Sequence, residues 1–393
     1  MERKFSDLFK RMKPLGKKNK AGFSFVKDYL DKDQLKDFRY LLKKGMIGVS
    51  FKNMGLSRDF FPEVSWPQID LATDDNEVRV LVNAWNLKIE EKAKHSAFRK
   101  FAKVAEEKIR ALIAPNIVGL DDAKEGALLQ LFALDPVHIL LLGDPGTGKT
   151  EILRAVHELA PISTYGLGSG TTGVGLTVAK EGNEIHKGLL PLADEGIACI
   201  DELNLLKKED RGSLYNAMEK GFITYDKGKT HMQFDARIRL LATANPEGDR
   251  FVGKAISLLK KQMPFDPALL SRFHLIFFIR RPSTEAFVRI ARKIVSAEKF
   301  KKHHPDYQFV KEFVAFAEHL NVEFDKSFQS QIVDFVESIK KDEEKFLIDI
   351  TPRFVVGIIR LTQASARMRL SAKVTEQDVD KVLKLVKESV YFR

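Results

Sequence analysis

The stretch Val137–Leu153, VHILLLGDPGTGKTEIL, constrains this chain more than any other. An apolar run ends at Gly143. Gly143-Asp144-Pro145-Gly146-Thr147-Gly148-Lys149-Thr150 then fits the phosphate-loop pattern G-x-x-x-x-G-K-[ST], and Glu151–Leu159 has helix spacing. Strand, glycine-rich turn and helix in that order let the loop's backbone N–H groups turn inward around phosphate oxygens, with the positive end of a helix at the same point, and make Asp144, Pro145, Gly146, Thr147, Gly148, Lys149 and Thr150 the candidate nucleotide-binding residues. Lys149 is placed to reach the β- and γ-phosphates and Thr150 to hold Mg²⁺. Taken alone, the segment would also serve as a plain strand-to-helix turn; the flanks favour a nucleotide site.

At 393 residues the chain has room for two or three domains, and 44% hydrophobic with 30% charged residues describes an ordinary folded protein. Lys and Arg outnumber Asp and Glu by 65 to 54, a formal charge of +11, which favours a polyanionic partner such as nucleic acid. One cysteine, Cys199, excludes an intramolecular disulfide framework and any multi-cysteine zinc site. The Met-Glu-Arg-Lys start has no apolar leader core, and no apolar run has membrane-spanning length. The expectation is a soluble intracellular protein, cytoplasmic or nucleoid-associated, with no membrane partner.

The pattern divides the chain into four parts. Residues 1–22 read as a basic tail. Residues 23–115 read as a small, mostly helical region, with a helix over Asp33–Lys44, an extended Met46–Phe51, a loop at Ser65-Trp66-Pro67, and one or two helices over Asn76–Ala114. Residues 116–282 carry strand, phosphate loop and helix. Next come a Gly/Thr-rich stretch to Leu176 and a polar excursion over Val178–Gly188 that suits a hairpin or a broken helix. An apolar strand closing on Ile200-Asp201-Glu202 and a helix over Asp210–Lys220 follow. Two extended runs around Asp226-Lys227-Gly228-Lys229 read as a hairpin, and another strand ends in Asn245-Pro246. Strands alternating with helices predict a parallel sheet with right-handed crossovers. Residues 283–393 read as helical throughout, a separate subdomain. The expected fold is therefore α/β, a phosphate-loop sheet flanked by helices with an all-α subdomain behind it.

Several other features suit phosphoryl transfer. Asp201 at a strand end is placed to bind Mg²⁺, and Glu202 to polarise an attacking water. Asn245, ending the next strand, is a candidate to orient that water. Arg272 and Arg353, in later segments, are candidates to neutralise transition-state charge.

From about Asn116 to Leu385 the chain resembles the AAA+ ATPase module of the minichromosome maintenance (MCM) helicase family. The resemblance rests on Gly143-Asp144-Pro145-Gly146-Thr147, on Ala193-Asp194-Glu195-Gly196-Ile197, on Ile200-Asp201-Glu202, on Asp210-Arg211 and on Ala217-Met218-Glu219. It extends to Ile223–Arg237, Ala242–Pro246, Leu269-Leu270-Ser271-Arg272-Phe273 and Thr351-Pro352-Arg353. It implies a hexameric homo-oligomeric ring that hydrolyses ATP with Mg²⁺ and acts on single-stranded or forked DNA. By the same likeness Arg272 is an arginine finger for the neighbouring subunit's ATP, Arg353 a sensor 2 residue on the helical lid, and Asn245 a sensor 1 residue. Lys227 becomes a DNA contact on the hairpin, and Val178–Gly188 an insert facing the channel; the basic character of the hairpin adds Lys229 as a second candidate DNA contact. The competing reading is an AAA+ remodeller of protein partners, similar to MoxR or chelatase proteins, without unwinding activity.

The chain also departs from the family pattern. Where the family usually has Ala-Lys-Ser, this chain has Gly148-Lys149-Thr150, which is the commoner form among phosphate-loop ATPases. Gly228-Lys229 replaces Ala-Gly at the hairpin tip, and His274 follows Phe273 where Asp is usual. No cysteine lies in the first 115 residues. The expectation is a short form without the OB-fold and zinc tier, and without a C-terminal winged helix.

Overall fold

A computed structural model describes residues 24–391, apart from 58–59, 62–63, 182–183, 228–229, 249, 254, 282 and 297–304. Segment 1–22 thus lies outside the described residues. The chain forms two compact units that divide between Lys103 and Val104.

In the first unit, α1 (Lys32–Lys43) begins at a capping box in which Asp31 accepts from the Gln34 amide. Strands β1 (Ile47–Asn53) and β2 (Ser65–Leu71) follow as an antiparallel pair, then α2 (Asn76–Phe101), N-capped by Asp75. Ser65-Trp66-Pro67 is therefore strand and not the expected loop. Pro67 pairs with Phe51 in a two-stranded ribbon, where a missing N–H is tolerated. Trp66 and Ile69 are buried against Phe38, Val82, Trp85 and Ile89, and that burial outweighs the turn signal of Ser-Trp-Pro. The Asn86 side chain completes the outer edge of β2, accepting from Ile69 N–H (2.7 Å) and donating to Ile69 C=O (2.8 Å).

The second unit opens with α3 (Ala105–Leu112) and α4 (Asp121–Leu131) and is built on one five-stranded sheet. Its strands, in chain order, are β3 (Ile139–Gly143), β4 (Ser163–Leu167), β7 (Ile197–Asp201), β10 (Arg239–Ala244) and β11 (Leu275–Ile279). Their spatial order is β11-β3-β10-β7-β4, and every pairing is parallel. Strands β3, β7 and β10 are buried at every residue, which is why they read as largely apolar runs. Two strands are not marked in the sequence pattern. Edge strand β4 (STYGL) is half-exposed and contains a glycine. Strand β11 (LIFFI) directly follows a turn, with no helical spacing to set it off.

Between the sheet strands lie helix α5 (Lys149–Leu159), the hairpin β5 (Val178–Glu181) with β6 (Glu184–Lys187), helix α6 (Arg211–Lys220), and the hairpin β8 (Phe222–Lys227) with β9 (Thr230–Asp235). The polar excursion over Val178–Gly188 is thus a hairpin. After the single-turn α7 (Pro267–Leu270) and β11 come helices α8 (Thr284–Ser296), α9 (Pro305–Glu318), α10 (Gln329–Lys341), α11 (Pro352–Met368) and α12 (Glu376–Val390).

Arginines fasten this helical part to the sheet by donating to carbonyls at and just beyond the C-terminal end of α4. Arg239 on β10, 2% exposed, donates to the carbonyls of Gln130, Leu131 and Ala133, and meets Glu318 of α9 at 3.5 Å. Arg360 and Arg367, two turns apart on α11, donate to the carbonyls of Pro136 (2.5 Å) and Phe132 (2.6 Å).

Candidate functional site

Because the sheet is parallel, the C-terminal ends of β3, β7 and β10 share one edge. The phosphate loop, Asp201-Glu202 and Asn245 all arrive there. Gly143 lets β3 run close to β11: a Cβ on it would lie 1.9 Å from the Ile279 carbonyl oxygen. Gly146 (φ +75°) and Gly148 (φ +93°) take the left-handed backbone that turns the loop into α5. Thr147 Oγ1 donates to the Asp144 carbonyl (2.9 Å) and braces the turn, with Pro145 between them in sequence.

Lys149 is 6% exposed, and its Nζ donates to the carbonyls of Gly143 (2.8 Å) and Asp144 (2.7 Å). Burial draws its pKa down to about 8, opposed by the negative charges of Asp144, Asp201 and Glu202. The Asp144 carboxylate ties the loop to two other segments, accepting from the amides of Phe251 (3.1 Å) and Arg281 (3.1 Å).

Asp201, 5% exposed, accepts three hydroxyls: Thr150 (3.2 Å) and Thr243 (2.5 Å) on Oδ1, and Tyr165 (2.9 Å) on Oδ2. Burial and the neighbouring Asp201 carboxylate push the Tyr165 phenol up, so it remains a donor. Glu202 adopts φ +54°, and its N–H donates to Thr243 Oγ1 (2.9 Å). The Asn245 N–H donates to Asn204 Oδ1 (3.0 Å), fixing the end of β10 beside the turn after β7. Thr243, Tyr165 and Asn204 are absent from the sequence reading. Only Thr243 left a trace there, as a polar residue inside an apolar strand. A phosphate-bound Mg²⁺ fits this donor set: it commonly takes one or two protein oxygens and leaves the rest to phosphates and water. Among the described residues, no cluster of three or more His, Cys, Asp or Glu forms a metal site of its own.

Arg272 and Arg353 lie elsewhere. Arg272 precedes β11, whose first residue, Leu275, pairs with Ile139 and whose last, Ile279, pairs with Gly143. Arg272 therefore stands at the opposite edge of the sheet from its own phosphate loop, a strand length of about 13 Å away. Its guanidinium reaches Glu219 Oε2 (2.6 Å), donates to the Ala268 carbonyl (2.5 Å) and lies 4.9 Å from the Tyr215 ring centre. Arg353, the second residue of α11, meets the other oxygen of Glu219 (3.3 Å). Among the described residues, neither arginine bonds the loop, Asp201 or Glu202.

That far edge also holds His138 and His274, both buried. The His138 amide donates to His274 Nδ1 (3.0 Å). The His138 ring accepts the Leu240 amide at Nδ1 (3.1 Å) and contacts the Met218 carbonyl through Nε2 (3.1 Å), which requires the neutral Nε2–H tautomer. Burial draws His138 to about 4. For His274, burial, then His138 and the charges of Arg360 and Arg353, give about 2.

Strand β8 ends at Lys227, paired in register with Thr230; Lys229 lies outside the described residues, as does the Lys227 side chain. No helix among the described residues is long and apolar enough to cross a membrane.

Comparison with known proteins agrees with this geometry. The MCM P-loop domain model matches residues 94–298 and the MCM AAA-lid domain model residues 308–390. The chain is 33% identical over 312 residues to the DNA replication licensing factor mcm4-A of Xenopus laevis, covering 72% of this chain and 36% of that protein. It is 34% identical over 325 residues to the licensing factor MCM4 of Arabidopsis thaliana, covering 74% and 38%. To the minichromosome maintenance protein MCM of Saccharolobus solfataricus it is 33% identical over 304 residues, covering 72% and 44%. The chain thus spans less than half the length of these relatives. With the P-loop domain matched over more than half of its residues and the parallel sheet and helical lid in place, the chain has the P-loop AAA+ fold and belongs to the minichromosome maintenance family.

Proposed function

We propose that this chain is an ATP-hydrolysing motor that works as a ring, most simply a hexamer of identical subunits, and moves on single-stranded or forked DNA during replication. The observation that carries the reading is the division of labour across the sheet. The phosphate loop and Asp201-Glu202 occupy one edge, while Arg272 and Arg353 sit together at the other, beyond reach of their own loop. Arginines so placed serve an ATP only when it is bound by another subunit.

On this reading the amides of Gly146 to Thr150 cradle the phosphates, and Lys149 exchanges two loop carbonyls for phosphate oxygens. Thr150 and Asp201 would hold Mg²⁺, which when bound draws negative charge from the phosphates. Tyr165 and Thr243 keep the Asp201 carboxylate oriented, and Thr243 also fixes the turn from which Glu202 polarises the attacking water. Asn245, half-buried and anchored through its amide, orients that water. Arg272 and Arg353 of the next subunit stabilise the charge that develops on the transferred group, an effect worth about 10³ to 10⁵ in rate for an arginine supplied in trans. The relatives' designation as DNA replication licensing factors and the net charge of +11 support DNA as the track.

The test is ATP turnover with and without single-stranded DNA, read beside particle mass with ATP bound. Turnover should rise with assembly and again with DNA, and Lys149→Ala should abolish it. Full turnover by monomers would overturn the shared site. Assembled, active rings indifferent to DNA would shift the reading to remodelling of protein partners.

A further inference from the structure

Glu219 touches neither the phosphate loop nor Asp201, yet it is where the two arginines meet. It occupies the last turn of α6, two residues before Gly221, whose φ of +72° turns the chain into β8. One carboxylate oxygen takes Arg272 at 2.6 Å and the other takes Arg353 at 3.3 Å. Tyr215, one turn earlier on the same helix, supplies the ring beneath the Arg272 guanidinium. The Tyr215 hydroxyl in turn donates to Asp266 (3.0 Å), and Asp266 caps α7, the helix leading into Arg272, by accepting from the Leu269 amide (2.8 Å). Arg272 is thus held by a ring below, a carbonyl behind and a carboxylate in front, while its Nε–H has no hydrogen-bond partner among the described residues.

Two guanidinium groups on separate elements repel one another, and no other acidic side chain among the described residues pairs with either. Their approach depends on the carboxylate between them. The two arginines in turn, Arg272 first, hold the Glu219 carboxyl below the usual carboxylate range, so it stays charged at neutral pH.

We propose that Glu219 is a positioning residue for the arginine side of the shared ATP site, holding Arg272 and Arg353 as one preorganised pair for the neighbouring subunit's nucleotide. The inference rests on the inter-subunit reading above. Glu219 touches no nucleotide in this scheme; its effect passes through the two arginines. A misplacement of about 1 Å in such a pair can cost about 10²-fold in rate.

The experiment uses full-length chains and mixed assemblies. Glu219→Ala should bind a fluorescent ATP analogue as the parent does, since its own phosphate loop is intact, and should lower kcat about 10²-fold. Mixed with Lys149→Ala, it should recover turnover, because the Lys149→Ala subunits lend sound arginines to the sound loops of Glu219→Ala subunits. Mixed with Arg272→Ala, it should recover none, because both lesions lie on the same side of the interface. Glu219→Asp, which keeps the charge, should restore part of the loss. Parental turnover by Glu219→Ala would overturn the proposal, and so would recovery in the mixture with Arg272→Ala. The control mixture of Arg272→Ala with Lys149→Ala separates the two levels. If it recovers turnover while Glu219→Ala with Lys149→Ala does not, Glu219 is not the positioning residue and the shared site stands. If the control itself fails in assembled rings, the inter-subunit reading falls and this proposal with it.

Discussion

Lys149 carries a positive charge into a site nearly closed to water, where two backbone carbonyls take the place of solvent. Burial lowers its pKa to about 8, because the charged form loses more hydration than the nearby carboxylates return. ATP reverses that balance by bringing phosphate charge to the ammonium. Above about pH 8 the free protein therefore holds an increasingly neutral lysine, and binding must take up a proton. The apparent Kd for ATP should be level from pH 6.5 to 7.5 and then rise, approaching tenfold per pH unit at the upper end. Titrations of a fluorescent analogue up to pH 9.5 check this, with Lys149→Arg as the comparison, since a guanidinium stays charged across the range. A parallel rise in the arginine variant would assign the effect to another group. This residue, like Thr150 and Asp201, was legible because its motif has fixed spacing. Thr243 and Tyr165 were not: each lies inside a strand where its hydroxyl resembles ordinary strand composition, and only the parallel register brings both to Asp201.

At the scale of elements, the sheet separates two chemistries by the length of a strand. The catalytic edge was readable because apolar runs ended in glycine, carboxylate and amide residues. The opposite edge was obscure, since β11 begins directly after a motif already assigned to catalysis and its pairing with β3 leaves no local signal. The buried imidazoles there join β3, β10, β11 and the end of α6, and His274 supplies one acceptor, Nδ1, to the His138 amide. Both rings are neutral in the fold, with folded values of about 4 and about 2 against about 6.5 unfolded. The unfolded chain therefore takes up protons that the native state refuses, and stability is lost as the pH falls below about 6.5, with nothing lost above it. His274→Asn retains an acceptor and removes one titrating ring. Urea midpoints at pH 7.5, 6.0 and 5.0 should fall less steeply for the variant, by about one proton per molecule in the linkage slope. Equal slopes would show that these rings do not set the acid sensitivity.

At the scale of the whole molecule, nucleotide chemistry matters only if it moves something, and α6 gives a short route. The helix that presents Glu219 to the arginines passes through Gly221 directly into the β8–β9 hairpin, so the arginine cluster and the hairpin are joined by one turn of backbone. The register Phe222↔Asp235 through Lys227↔Thr230 makes this a regular antiparallel ribbon as far as its tip. The sequence puts Lys227 and Lys229 close together at this end of the hairpin, and the family likeness suggests a DNA contact for Lys227. Where the lysines neutralise phosphates, they release counterions, and each contact contributes about −0.7 to the slope of log K against log salt on single strands. Replacing both by alanine removes charge while leaving the β8–β9 backbone pairing available. Binding of single-stranded DNA should weaken, and the slope should become shallower by at least about 0.7 for each engaged lysine. ATP binding should remain at the parental level, because the loop and Asp201 are untouched. Measured by fluorescence anisotropy between 50 and 300 mM salt, a shallower slope would place the hairpin on the DNA backbone. An unchanged slope with intact ATP binding would remove DNA from the hairpin, and a motor that remodels protein partners would then be the better account of the same ATPase.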